Sequence, residues 1–104
     1  MYPCQCCGYL TLGENTRDTY EICDVCFWED DVVQNYDPNF SGGANDPSLN
    51  DAKNNYIKYK VADKKNKKFV RNPYSHEIPK KWCNKKIKKG TLPFYRKNMT
   101  PPSH

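Results

Sequence analysis

The chain has 104 residues, 37% hydrophobic and 28% charged, with six cysteines and a mean hydropathy of -1.02, which suits one small domain and excludes a large apolar core. No apolar run approaches the roughly 20 residues that span a bilayer, and no charged start leads into an apolar stretch, so neither a membrane anchor nor a secretion signal is expected. The formal charge of +5 conceals a division: residues 1–60 carry ten acids against four bases, whereas residues 61–104 carry thirteen bases against Asp63 and Glu77.

A cytoplasmic location is the expectation, and in a reducing compartment cysteines at short regular spacing point to metal ligands rather than disulfides. In chain order, Cys4 and Cys7 come first and run into Tyr9–Leu12, an alternating stretch of strand formers. Residues 13–18 are polar and turn-like. Thr19–Ile22 forms a second strand-like stretch that leads into Cys23 and Cys26. Pairing the two stretches as one hairpin would bring both cysteine pairs together. Phe27, Trp28 and the acidic run Glu29, Asp30 and Asp31 follow, then loop signals at Asp37, Pro38, Gly42 and Gly43.

From Ser48 a helix is expected, since Ser48 with Asp51 three residues on fits an N-terminal cap and Pro47 stands at its entrance. Leu49, Ala52, Tyr56 and Tyr59 recur at intervals of three and four and make one apolar face to cover the hairpin. Lys60–Lys68 reads as a charged link, and Phe69–Pro79 has no clear period. Lys80–Lys89 is mostly lysine, with Trp82, Cys83 and Ile87 between. The expected architecture is therefore small α+β: a zinc-ribbon-like β-hairpin with one packed helix. Residues 1–60 would form the cysteine-rich metal domain and 61–104 a basic, largely irregular extension.

Two residues between paired cysteines let one tight turn aim both sulfurs at a single ion, and Gly8 suits the positive φ that such a turn requires. Two such pairs, Cys4 with Cys7 and Cys23 with Cys26, supply four thiolates for the tetrahedral preference of Zn2+. Iron is the competitor, because paired knuckles also hold a single iron atom. Four sulfurs leave no open position for water or substrate, so the site reads as structural and the protein as non-enzymatic. Such a zinc contributes on the order of 10 to 16 kcal/mol of apparent binding energy. Cys6 lies between two proposed ligands and reads either as a small buried residue or as a reactive thiol serving redox chemistry. Cys83 reads as bland unless exposed.

These residues resemble a small bacterial cysteine-rich family named for its opening Cys-Pro-Cys-Cys run. The resemblance rests on Tyr2–Tyr9, on Tyr20–Ile22, and on Cys23, Val25, Cys26, Phe27, Trp28, Glu29 and Asp30. It continues through Gly42–Asn45 and Ser48, Leu49, Ala52 and Asn55, with a weaker echo at Val70, Arg71, Pro73 and Glu77. Gln5 stands where the motif has proline, which loosens the first turn without removing a ligand. The resemblance implies a zinc-binding domain and no particular activity.

Other chemistry finds less support. Glu29, Asp30, Asp31 and Asp37 lack a partner base and read as a solvated or helix-capping cluster, or as a docking surface for basic segments. His76 and Glu77 begin a zinc-protease pattern, but Lys80 stands where its second histidine belongs and Pro79 breaks the helix. The leading function is an interaction module that binds another protein, as an adaptor or an inhibitor of antitoxin type. The alternative is nucleic-acid binding through Lys80, Lys81, Lys85, Lys86, Lys88 and Lys89, opposed by the acidic first half.

Overall fold

The computed structural model describes residues 1–13 and 18–84, with only the backbone for 83 and 84. It begins with two chain reversals of the same design. In the first, strands β1 (Tyr2–Pro3) and β2 (Leu10–Leu12) pair antiparallel on either side of the Cys4–Cys7 turn, in the register Tyr2 to Leu12 and Pro3 to Leu10. Cys4 N–H donates to the Tyr9 carbonyl (2.9 Å), and Gly8 N–H closes the turn on the Cys4 carbonyl (2.9 Å).

The second reversal repeats this pattern around Cys23 and Cys26. Cys23 N–H donates to the Trp28 carbonyl (3.0 Å) and Phe27 N–H to the Cys23 carbonyl (2.8 Å), with Ile22 bridged to Glu29 alongside. The two turns also agree in backbone: Gly8 has φ 81° and its counterpart Phe27 has φ 67°.

This pairing corrects the expected hairpin. Tyr9–Leu12 and Thr19–Ile22 do not pair with each other among the described residues; each pairs across its own cysteine turn. The physical reason is local. Each knuckle's own backbone bonds, from the Cys4 and Cys23 N–H groups across the turn and from Gly8 and Phe27 back onto Cys4 and Cys23, already align its two flanks with each other. The result remains small α+β, with helices packed around these reversals.

Asp31 caps a short helix α1 (Val32–Tyr36) by accepting from Val33 N–H (3.1 Å). That helix turns Gln34 and Asn35 inward and leaves Val33 and Tyr36 exposed, the reverse of what an apolar pattern suggests. Helix α2 (Leu49–Tyr59) is the one expected: Ser48 Oγ accepts from Asp51 N–H (3.1 Å), and Leu49, Ala52 and Tyr56 are buried. Tyr59, at the end of the anticipated face, stays 40% exposed.

Beyond α2 the chain remains part of the packing. Val61 and Ala62 are buried, Ala62 N–H donates to the Cys26 carbonyl (2.8 Å), and Arg71 N–H reaches the Asp24 carbonyl (3.2 Å). Two 3-10 turns, Lys64–Phe69 and Ser75–Glu77, carry this return past the second knuckle. Ile78 joins the core, and Trp82 on α3 (Lys80–Asn84) packs edge-on against Tyr9 at 5.3 Å. The core therefore runs through residue 78, past the boundary expected at residue 60, because Val61, Ala62 and Ile78 supply apolar surface that the first sixty residues lack. No described helix is long and apolar enough to cross a membrane.

Candidate metal centre

The two knuckles face each other and bring the Cys4, Cys7, Cys23 and Cys26 sulfurs within 4.8 Å of one another, all four side chains buried. Cys4 Sγ lies 3.6 Å from Cys26 Sγ and Cys7 Sγ lies 3.7 Å from Cys23 Sγ, and both contacts join one knuckle to the other. A tetrahedral ion with metal–sulfur bonds near 2.3 Å separates its ligand sulfurs by about 3.8 Å. The spacing of the four thiols fits such an ion.

Backbone and side-chain donors point at the sulfurs. Cys6 N–H approaches Cys4 Sγ and Val25 N–H approaches Cys23 Sγ, each at 3.4 Å, which is the same contact made once per knuckle. Thr11 Oγ1 adds a donor to Cys23 Sγ at 3.0 Å from the end of the first reversal. Burial pushes the Cys4, Cys7 and Cys26 thiols well above their ordinary range. Burial works against the Cys23 thiolate too, but hydrogen bonds from Cys26, Cys4, Cys7 and Thr11 outweigh it and hold Cys23 well below that range. Burial thus favours protonated thiols across most of the cluster, so a metal must displace protons to bind.

Cys6 is fully buried, and burial pushes its thiol up. A reactive redox thiol needs access and thiolate character, and Cys6 has neither. The Cys83 side chain and Lys85, Lys86, Lys88 and Lys89 fall outside the described residues; Lys80 and Lys81 are exposed on α3.

Two acids of the run after Trp28, Asp30 and Asp31, are turned inward and withdrawn from the surface. Asp30 is 1% exposed and its carboxylate accepts from Thr19 N–H and Oγ1 (both 2.8 Å) and from Asn35 Nδ2 (2.7 Å). Asp31 is buried as well, dividing its oxygens between Val33 N–H and Ala44 N–H (2.9 Å). Behind the second knuckle, Gln34 Nε2 serves the carbonyls of Phe40, Asn45 and Pro47, while Asn45 pairs with both backbone groups of Glu29. A Cβ at Gly43 would collide with Asp31 Oδ2, which explains why glycine stands in that loop.

A second anchor was not legible from the cysteine spacing. Arg71 donates from both terminal nitrogens to Glu77 (2.8 and 2.9 Å), and Tyr74 N–H donates to the same carboxylate (2.8 Å). Burial opposes charge on Glu77, but these donors hold its carboxyl below the ordinary glutamate value. The guanidinium also lies 3.9 Å from Asp24 in the second knuckle. The only sequence signal for this hook is the scattered echo at Val70, Arg71, Pro73 and Glu77.

Fold and site together define a small α+β cysteine-rich protein with a buried four-thiol centre competent for a metal. The model of the cysteine-rich CPCC family matches residues 2–77, and the chain belongs to that family. The match ends on Glu77, so it includes the Arg71–Glu77 hook as well as both knuckles. Among curated proteins, none matches the chain.

Proposed function

We propose that Cys4, Cys7, Cys23 and Cys26 bind one zinc ion with a structural role, and that the chain is a non-enzymatic interaction module of zinc-ribbon type whose partner is another protein. The observation that carries the metal reading is the closed set of four buried sulfurs at near-tetrahedral spacing. Zinc there would supply folding energy and cross-link the two reversals, since four thiolates leave no vacant position for a reacting group. Iron fits the same sulfurs and remains the alternative ion. A reducing cytoplasm suits thiols that must stay free for the metal.

A protein partner is favoured by the apolar side chains left at the surface, among them Tyr20, Ile22, Val33, Tyr36 and Phe40. Nucleic-acid binding through Lys80, Lys81 and the lysines beyond is the second reading. It is favoured by the exposure of Lys80 and Lys81 on α3.

Metal analysis of freshly purified protein tests the centre: one zinc per chain is expected, a coloured protein would mean iron, and little of either would overturn the site. Chelator should abolish cooperative melting. The interaction reading predicts a specific protein recovered on affinity capture from the native cell, and repeated capture of nothing would count against it. Absence of oligonucleotide binding at low salt would end the second reading.

A further inference from the structure

The end of α2 and the segment that returns beside it enclose an open groove of about 230 Å3, lined by Tyr56, Lys60, Lys67, Val70, Arg71 and Asn72. Its lining holds three cationic residues and no acid. Arg71 is committed to Glu77, and Lys67 Nζ gives one of its three donors to the Tyr59 carbonyl (2.8 Å). Lys60 is exposed and its ammonium has no partner among the described residues. Lys64 and Lys68, from the same 3-10 turn as Lys67, are exposed as well.

Lys60 also sits where its backbone is costly. It ends α2 in the left-handed region, φ 63° and ψ 33°, a position glycine occupies without a Cβ penalty. A lysine at a strained position on the lip of a groove, with no partner among the described residues, leaves its ammonium open to contact outside the chain.

We propose that this groove is the docking site for an acidic segment of a partner protein, with Lys60 and Lys67 holding its carboxylates and Val70 contacting its apolar side chains. The proposal rests on the interaction-module reading and names the chemistry of the partner. Charge complementarity calls for an anion. Carboxylates are favoured over a nucleic-acid strand because the one aromatic in the groove's lining, Tyr56, is buried, while the exposed rings nearby already carry partners: Phe69 stacks on Phe27 at 5.2 Å with Lys68 over it, and Tyr74 stacks on His76 with Arg71 4.0 Å above its ring. Single strands bind such surfaces largely by stacking bases on open rings, whereas a carboxylate needs only the cations.

The test uses the full-length, metal-loaded protein and three labelled probes: a glutamate-rich peptide carrying leucines, a lysine-rich peptide of equal length and an oligothymidylate. Binding of the glutamate peptide alone, weakening with salt, is expected. Lys60→Gly should raise the melting temperature by relieving the left-handed backbone and yet weaken the peptide; Lys60→Glu with Lys67→Glu should weaken it about tenfold or more by placing like charges together. Lys60→Arg should retain binding.

Tighter binding of the oligothymidylate would replace the proposal with the nucleic-acid reading. Self-association that Lys60→Glu abolishes would mean a second copy fills the groove, and would overturn it too. So would peptide affinity unchanged in Lys60→Gly, which would locate any binding elsewhere on the chain. A captured partner that binds Lys60→Gly as well as wild type would sink the groove and leave the interaction module standing.

Discussion

At the scale of single residues, the centre depends on groups that are not themselves ligands. Gly8 and Phe27 hold matching positive-φ positions, and only the first is cheap: a side chain there costs about 1 to 2 kcal/mol. Phe27 offsets that cost by stacking on Phe69. Thr11 contributes the one side-chain hydroxyl bonded to a site sulfur among the described contacts. Removing such a donor from a metal ligand typically lowers affinity, so Thr11→Val should bind zinc about tenfold more weakly, measured by competition with a chromophoric chelator. The melting temperature of the metal-saturated variant should change little by comparison. An unaltered affinity would show that the hydroxyl merely fills space beside Cys23.

Protonation belongs to the same scale. Burial raises the Cys4, Cys7 and Cys26 thiols, so protons compete with the ion further up the pH scale than at exposed cysteines. Zinc affinity should therefore fall as pH falls. Metal uptake in weakly buffered solution should release protons, which a pH indicator can count.

At the scale of elements, α2 was legible because its information is local: Ser48 bonds the Asp51 N–H, and the three-and-four spacing of Leu49, Ala52 and Tyr56 selects one buried face. α1 was not, since its buried residues are Gln34 and Asn35. Gln34 can be buried only because carbonyls from a loop up to thirteen residues away arrive to accept its N–H groups. The strand-like stretches were recognisable and their partners were not, for alternation reports a pleat without naming its neighbour.

The Arg71–Glu77 hook is a third element of this kind. Glu77 is buried and holds its carboxyl below the ordinary 4.5, so the unfolded chain takes up its proton first as pH falls. The stability it contributes is complete above that ordinary value and is lost as pH drops through the lower folded one. Glu77→Gln should cost about 2 kcal/mol near neutrality. The gap in melting temperature between wild type and variant should close below pH 4.5; a gap that persists there would mean the pair stabilises by packing rather than charge. Both proteins are melted at saturating zinc, so that the centre stays occupied as the pH is lowered.

At the scale of the whole molecule, the charge division read from composition is partly undone by folding. Asp46 of the acidic half pairs with Lys65 and Asp24 lies 3.9 Å from the Arg71 guanidinium, while other lysines of the return segment stay at the surface. The same return segment closes the core. A chain ending at residue 60 would lose Val61, Ala62 and Ile78, together with the bonds from Ala62 to Cys26 and from Arg71 to Asp24. Such a truncation should fail to melt cooperatively even with zinc present; a sharp, metal-dependent transition would show that the knuckles and α2 suffice alone.

By itself the sequence determined the four sulfurs, the turns that carry them and the helix that follows, because each depends on residues a few positions apart: two between cysteines, three between cap and backbone donor. Tertiary structure alone decided which flanks pair, which acids are buried, where the core ends and which lysines share a groove. Those outcomes depend on contacts between distant residues, and they turn on whether each polar group finds its partner when the chain closes.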